Sequence, residues 1–362
     1  MQRFCAIIVV LISATAALAA PFVTPRDPQC VAFSPNGSLV ALGYSGLSNG
    51  EFPPRPHPDV RKCGCVQIHD VESGKRLRRI ETYGDLVDLR FSPDGKYLAM
   101  ARVFATVDEI ELNEVRVWTV ADGKLAAALD RCHAFTFLPQ PARILVLGRK
   151  TCAEFDLSAG KRLRTIEQLS NSLAVQAVGE SQLLGVVRTE QLVRTGQAPP
   201  QYALRLVDST SGQQVAESLP LEVPMFHIAV SVDKRFVATG LPGNVLLWDA
   251  AQLKPLAKLP TDTRGVAHPF FSPDGELLAA GDQTSGDVVI WKLTSGQELY
   301  RYTFQKGNFR SYFARGEAAL ERPERDPARF VFSPDSAAFL HGSYSGILRT
   351  VLTGQELRRF GE

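Results

Sequence analysis

The sequence predicts an all-β fold, a seven-bladed β-propeller of four-stranded antiparallel blades. Three observations carry the prediction. A strand ending in a Phe-Ser-Pro-Asp-Gly type of turn recurs along the chain, each copy is followed by further short apolar strands and a second Gly-containing turn, and the copies fill the chain after its N-terminal leader. The 362 residues are 45% hydrophobic and 22% charged, which excludes disorder, collagen and coiled coil before any motif is weighed.

The first element is the leader. Arg3 precedes an uncharged apolar run from Phe4 to Leu18, and Ala17-Leu18-Ala19 supplies the small-x-small pattern of a signal peptidase site. Residues 1–19 therefore read as a signal peptide cleaved after Ala19, because a cut after Ala20 would leave Pro21 as the new N-terminus. The run is short of the roughly 20 residues needed to span a bilayer, and no later segment reaches that length. The expected address is export, to the periplasm or the extracellular space, with no integral membrane span after cleavage.

The repeats follow in order. Val31-Ala-Phe-Ser-Pro-Asn-Gly37, Leu89-Arg-Phe-Ser-Pro-Asp-Gly95, Pro269-Phe-Phe-Ser-Pro-Asp-Gly275 and Phe330-Val-Phe-Ser-Pro-Asp-Ser336 are four copies of one strand and turn. Pro presets the first corner, Asp or Asn accepts a local backbone bond, and Gly tolerates the positive φ that closes the hairpin. Weaker copies at Phe135-Thr-Phe-Leu-Pro-Gln140, Val175-Gln-Ala-Val-Gly-Glu180 and Ile228-Ala-Val-Ser-Val-Asp233 bring the number to seven.

Each copy leads into a second apolar strand such as Tyr97-Leu-Ala-Met-Ala101. A third follows with its own turn, as in Val115-Arg-Val-Trp118 and Asp122-Gly123-Lys124. A fourth, often basic, closes the unit, as in Arg76-Leu-Arg-Arg-Ile80 and Glu356-Leu-Arg-Arg-Phe360. Residues 20–362 thus form a single domain of seven units, about 49 residues each. The blades fall at about 29–80, 85–130, 131–168, 172–220, 224–260, 265–304 and 328–361. Basic residues on the fourth strands suit an outer sheet edge, where Lys and Arg discourage edge-to-edge pairing. Gln355 to Phe360 already reads as the outer strand of the last blade; the ring closes either without an exchanged strand or with a short addition from Phe22-Val-Thr24.

The hairpins, the third-strand Trp118, Trp248 and Trp291, and the Gly-Lys or Gly-Gln turns resemble the WD-repeat family over residues of about 29–361. Bacterial propellers of the TolB type share the Ser-Pro-Asp-Gly turn and are the nearest rival. The Gly-His pair that usually precedes a WD repeat is absent, and His69, Phe155 and Val207 stand where other blades carry Trp. The buried hydrogen-bond network of that family is therefore not carried over. The resemblance implies a platform for protein partners.

Cysteine is uninformative about compartment. Cys30, Cys63, Cys65, Cys132 and Cys152 remain after the leader, an odd number and no disulfide framework. They read as a disulfide between loops or as free thiols. Cys63-Gly64-Cys65 lacks the second ligand pair of a zinc site, so no metal and no cofactor is expected.

Candidate binding residues come from two places. Long connections at Tyr44 to Gly64, Arg102 to Glu114, Arg188 to Gln201 and Gln305 to Pro327 all join second to third strands or one blade to the next, which puts them on one face. The last carries Phe309, Arg310, Tyr312, Phe313 and Arg315, residue types that anchor protein interfaces. The residue four places before the turn Ser in each first strand gives a ring at the loop-rich channel mouth: Cys30, Asp88, Ala134, Ala174, His227, His268 and Arg329. Asp88, His227, His268 and Arg329 are its binding candidates, either for an anion, metal or small ligand or simply as the polar lining of a wet channel.

With 40 basic and 38 acidic side chains the chain lacks the excess that nucleic-acid binding requires. No nucleophile elbow, His-Glu-x-x-His, phosphate loop or EF-hand is present. The sequence therefore reads as an exported, non-enzymatic scaffold binding proteins through its loop-rich face. The alternatives are an exported propeller enzyme, lactonase or quinoprotein-like, with its site at the channel mouth, or a TolB-like envelope component.

Overall fold

In a computed structural model, the structure describes residues 28–44, 64–82, 85–103, 113–189, 201–223, 225, 227–261, 266–281, 288–302, 330–343 and 345–360. The leader, Cys63, Phe22 to Thr24, Arg329 and the segment holding Phe309 to Arg315 lie outside the described residues.

Seven four-stranded antiparallel sheets, each in the strand order of the sequence, form the propeller. Blade 1 holds β1 (Cys30–Phe33), β2 (Leu39–Tyr44), β3 (Gly64–Asp70) and β4 (Arg76–Thr82); blade 2 holds β5 (Asp85–Phe91), β6 (Tyr97–Val103), β7 (Glu114–Thr119) and β8 (Leu125–Asp130). Blade 3 holds β9 (Cys132–Phe137), β10 (Arg143–Gly148), β11 (Cys152–Asp156) and β12 (Lys161–Thr165); blade 4 holds β13 (Ser172–Val178), β14 (Gln182–Thr189), β15 (Gln201–Asp208) and β16 (Gln214–Glu217). Blade 5 holds β17 (Ile228–Val230), β18 (Phe236–Leu241), β19 (Asn244–Asp249) and β20 (Pro255–Pro260); blade 6 holds β21 (His268–Phe271), β22 (Leu277–Gly281), β23 (Val288–Lys292) and β24 (Gln297–Tyr302). Blade 7 holds β25 (Phe330–Phe332), β26 (Ala338–Ser343), β27 (Ser345–Thr350) and β28 (Glu356–Phe360). Among the described residues no helix is long and apolar enough to cross a membrane.

The ring closes through β1, which packs against both β5 and β25. Blade 7 builds its outer strand from its own C-terminal residues, β28, so among the described residues no strand is exchanged between first and last blades.

Seven apolar clusters, one per blade interface, hold the ring. Both faces of every sheet are buried, which is why the inner strands read as continuous apolar runs. In β6, Leu98 and Met100 face blade 1 while Ala99 and Ala101 face blade 3. Trp248 and Trp291 are each 1% exposed and sit at the blade 4–5 and 5–6 interfaces. Trp248 donates its indole N–H to Thr239 Oγ1 at 2.9 Å, a two-residue bond inside blade 5 that needs no His. At the same third-strand position His69 is buried between Gln67 Oε1 and the Gly74 carbonyl.

The first turns repeat atom for atom. Ser92 Oγ donates to Asp94 Oδ1 at 2.6 Å and accepts from the Tyr97 N–H at 2.9 Å, and Ser231 with Asp233 and Phe236, Ser272 with Asp274 and Leu277, and Ser333 with Asp335 and Ala338 do the same. The hydroxyls hold Asp233 and Asp335 below the usual carboxylate range. The turn glycines Gly37, Gly95 and Gly275 have φ between 70° and 75°, and Lys234 and Ser336 take the same left-handed conformation at 61° and 60°.

The outer-strand arginines do more than guard an edge. Arg78 reaches blade 2, donating its Nε–H to the Val120 carbonyl at 3.0 Å and a second N–H to that of Ala121. Arg164 caps the Thr210 carbonyl of blade 4 at 2.8 Å and that of Ser209, and the Tyr302 hydroxyl bonds the Val351 carbonyl of blade 7 at 2.7 Å. Each ties a blade to the second turn of the next.

Candidate functional site at the channel mouth

The seven inner strands surround the axis. In a four-stranded meander the first-to-second and third-to-fourth turns lie at one end, while second-to-third and interblade connections lie at the other. The residues joining β2 to β3, β6 to β7, β14 to β15 and β24 to β25 therefore all leave from the same end. His227 and His268 lie at that end of blades 5 and 6.

Their position is set by an unusually close approach of two backbones. A Cβ at Gly240 would overlap the Ala267 carbonyl oxygen, so only glycine lets blade 5 meet the residue before His268. The Gly240 N–H donates to the His227 carbonyl at 3.0 Å, which fixes the residue preceding β17. The result is a close, tilted pair, with ring centroids 3.3 Å apart and an interplanar angle of 32°. His268 is buried and His227 half-buried. The pair concentrates imidazole chemistry, ligand or proton carrier, in one place. Among the described residues no three His, Cys, Asp or Glu side chains gather as a metal site, so the pair supplies two ligands at most.

Asp88 lies across the ring in blade 2. Its carboxylate takes both Nε (3.1 Å) and Nη2 (2.9 Å) of Arg90, a fork that occupies both oxygens. Arg90 also donates from Nη1 to Gln176 Oε1 of blade 4 at 2.9 Å, and its guanidinium stands 5.8 Å from the Phe135 ring centroid of blade 3. A polar chain thereby joins blades 2 and 4, with the Phe135 ring of blade 3 against its guanidinium. The structure brings His227 to His268 and leaves Asp88 with Arg90, on the opposite side. Cys30 is fully buried in the blade 1–2 interface, and Ala134 and Ala174 are half-buried.

Arg90 and Gln176 are missed by aligning a single position per blade. Two residues nearer the turn Ser, the strand period repeats the same side and yields a second ring: Ala32, Arg90, Thr136, Gln176, Ala229, Phe270 and Val331. Its only charged member is Arg90.

A further polar group roots one long connection. Arg102 at the end of β6 and Glu114 at the start of β7 are cross-strand partners, and Glu114 Oε1 pairs with Arg102 and Arg116 together. Arg102 is 1% exposed and Glu114 is 7%, so the residues between them spring from a buried ion cluster. The two residues bound the segment that makes the connection long, so their pairing is not written in the repeat.

The four described cysteines, Cys30, Cys65, Cys132 and Cys152, are buried and form no disulfide with one another. Burial pushes Cys132 up to about 11 and Cys152 up to about 12, far from thiolate reactivity at neutral pH.

No protein-family model matches the chain. It is 29% identical over 149 residues to the serine-threonine kinase receptor-associated protein of Dictyostelium discoideum, a match covering 40% of this chain and 42% of that protein. The matched part thus spans about two fifths of the curated relative. Among solved structures it resembles a chain of Kuenenia stuttgartiensis hydrazine synthase, with a TM-score of 0.64 and 14% identity over 92% of this chain and 97% of the other. At that identity the likeness is one of fold.

Proposed function

We propose that this WD-repeat-like β-propeller is an exported, non-enzymatic scaffold that binds protein partners through its loop-rich face. The observation that carries the reading is the one-sided placement of its long connections, since every one of them leaves from the end where His227 and His268 lie. The likeness to a receptor-associated protein supports partner binding. Phe309, Arg310, Tyr312, Phe313 and Arg315 are the proposed anchors of the longest connection, and Asp88, the histidine pair and Arg329 are the further proposed contact residues.

Recovery of partners by the full chain and by a form lacking residues 307–324, from the source cells, tests this. Loss of a partner with the deletion supports the face; retention of every partner overturns it. Export is tested by N-terminal sequencing of the secreted chain, which is expected to begin at Ala20.

The second reading, an enzyme at the channel mouth, is favoured by the paired imidazoles. Alanine at His227 and His268 separates the two: an enzyme loses turnover with its fold intact, whereas the scaffold loses no activity.

A further inference from the structure

The first turn of blade 1 carries the bonds of its counterparts, but around an amide. Asn36 Oδ1 accepts from Ser34 Oγ at 2.7 Å and from the Ser38 N–H at 3.2 Å. In blades 2, 5, 6 and 7 the corresponding atom is a carboxylate oxygen. Asp94, Asp233, Asp274 and Asp335 each accept from the turn serine and from the N–H two residues on. Asn36 thus places an amide where four blades hold an acid, and both Asn36 and Ser38 are exposed.

The next residue is Gly37, whose lack of a Cβ leaves its main-chain nitrogen open to attack the preceding carboxamide. Gly37 takes φ 73°, and the bond from the Ser38 N–H to Oδ1 curls the carboxamide back over the peptide unit between them. Ser38 Oγ is a third donor to the same oxygen, at 2.9 Å. Three donors draw electron density from Cγ and stabilise the negative charge that Oδ1 gains when a nucleophile adds there. A single bond opposes the reaction: the Gly37 N–H donates to the Ser34 carbonyl at 2.9 Å and must be released first, a local opening of an exposed turn.

We propose that Asn36 is a self-modification site, converted to aspartate by its own backbone. The Gly37 nitrogen bonds to Cγ, the Cγ–Nδ2 bond breaks, and ammonia leaves with the Gly37 amide proton, which closes a succinimide ring. Water then adds at Cγ and breaks the new N–Cγ bond, so that a carboxylate replaces the carboxamide and the main chain is restored. The product is the residue that blades 2, 5, 6 and 7 already hold in this turn, and it adds a negative charge at the turn end. Hydrolysis at the other carbonyl gives isoaspartate, which routes the main chain through Cγ and takes away the acceptor of the Ser34 hydroxyl, so the turn disfavours it.

The test incubates the folded full chain at mildly alkaline pH and follows the fragment holding residue 36 by chromatography and mass spectrometry. Asn49-Gly50, the other Asn-Gly pair of the sequence, is read on a separate fragment. The fragment is expected to gain the mass change from –NH2 to –OH, faster at higher pH, with aspartate exceeding isoaspartate. Ser38→Ala removes an exposed donor and is expected to slow the conversion ~5-fold, the scale of one hydrogen bond; Ser38→Thr keeps the hydroxyl and the parent rate. The same Ser-to-Ala change in the free peptide acetyl-Phe-Ser-Pro-Asn-Gly-Ser-Leu-amide is expected to leave its rate unaltered, and Asn36→Asp to keep the thermal midpoint of the parent. Conversion of the free peptide with none in the folded chain, isoaspartate as the main product, a rate unaltered by Ser38→Ala, or a lowered midpoint in Asn36→Asp overturns the proposal.

Discussion

The two ends of the propeller differ in how much they repeat. At the turn end, the serine hydroxyl of a first turn bonds the same two partners in blade after blade, and Pro35 of blade 1 lies against Gly95 of blade 2 as Pro334 of blade 7 lies against Gly37 of blade 1. At the other end, connections vary from the few residues between β18 and β19 to the long segment between β24 and β25. Uniform bonding marks the end that holds the ring together, and variation marks the end free to acquire individual partners. Blades 3 and 4 sharpen the contrast, because their first turns lack the serine and are joined instead by Gln140 Nε2 donating to the Glu180 carbonyl at 3.2 Å.

Disrupting the shared framework should give the largest effect. Trp248→Ala leaves a void at the blade 4–5 interface and removes the bond to Thr239, and is expected to cost about 3–5 kcal/mol in denaturant unfolding. Alanine at His227 and at His268, at the variable end, should leave the unfolding midpoint far closer to that of the parent.

Acid should weaken the framework in two windows. Burial, with Arg349 and Arg359 nearby, pushes His341 down to about 3, below its ordinary 6.5. The unfolded chain therefore binds that proton first, and stability falls by up to about 1.4 kcal/mol per pH unit as pH drops below about 6.5. His341→Gln keeps an acceptor for the Arg349 N–H and should flatten this loss in pH-dependent unfolding. Asp233 and Asp335 shift in the same direction but open a lower window: their folded values are depressed, so their contribution is complete above about pH 4 and is lost as pH falls through the lower folded value.

Smaller changes test the turns one by one. Ser92→Ala removes the acceptor of the Tyr97 N–H and the bond to Asp94, and should cost about 1–2 kcal/mol. Lys234→Gly relieves a side-chain-bearing residue at φ 61° and should raise stability by up to about 1 kcal/mol in the same measurement. An unchanged midpoint for Ser92→Ala would remove the turn bonds from the list of forces that hold the framework.

The fold was legible because its unit recurs: Phe-Ser-Pro-Asp-Gly and the Gly-Lys turns state their local geometry in local residues. The histidine pair was legible only through register, by counting back from the turn serine to His227 and His268. Arg90 and Gln176 escaped that count because they lie one strand period further on and 86 positions apart in sequence. The interblade bonds of Arg78 and Arg164 join residues more than 40 positions apart. Such features come from packing between units and have no local motif.

The central claim, that partners engage the variable face, is tested most directly by hydrogen–deuterium exchange of the full chain with and without a partner whose recovery depends on residues 307–324. New protection is expected in peptides covering 102–114, 188–201 and 303–329. Protection confined to the serine-aspartate turns of blades 2, 5, 6 and 7, with those three regions unchanged, would contradict it.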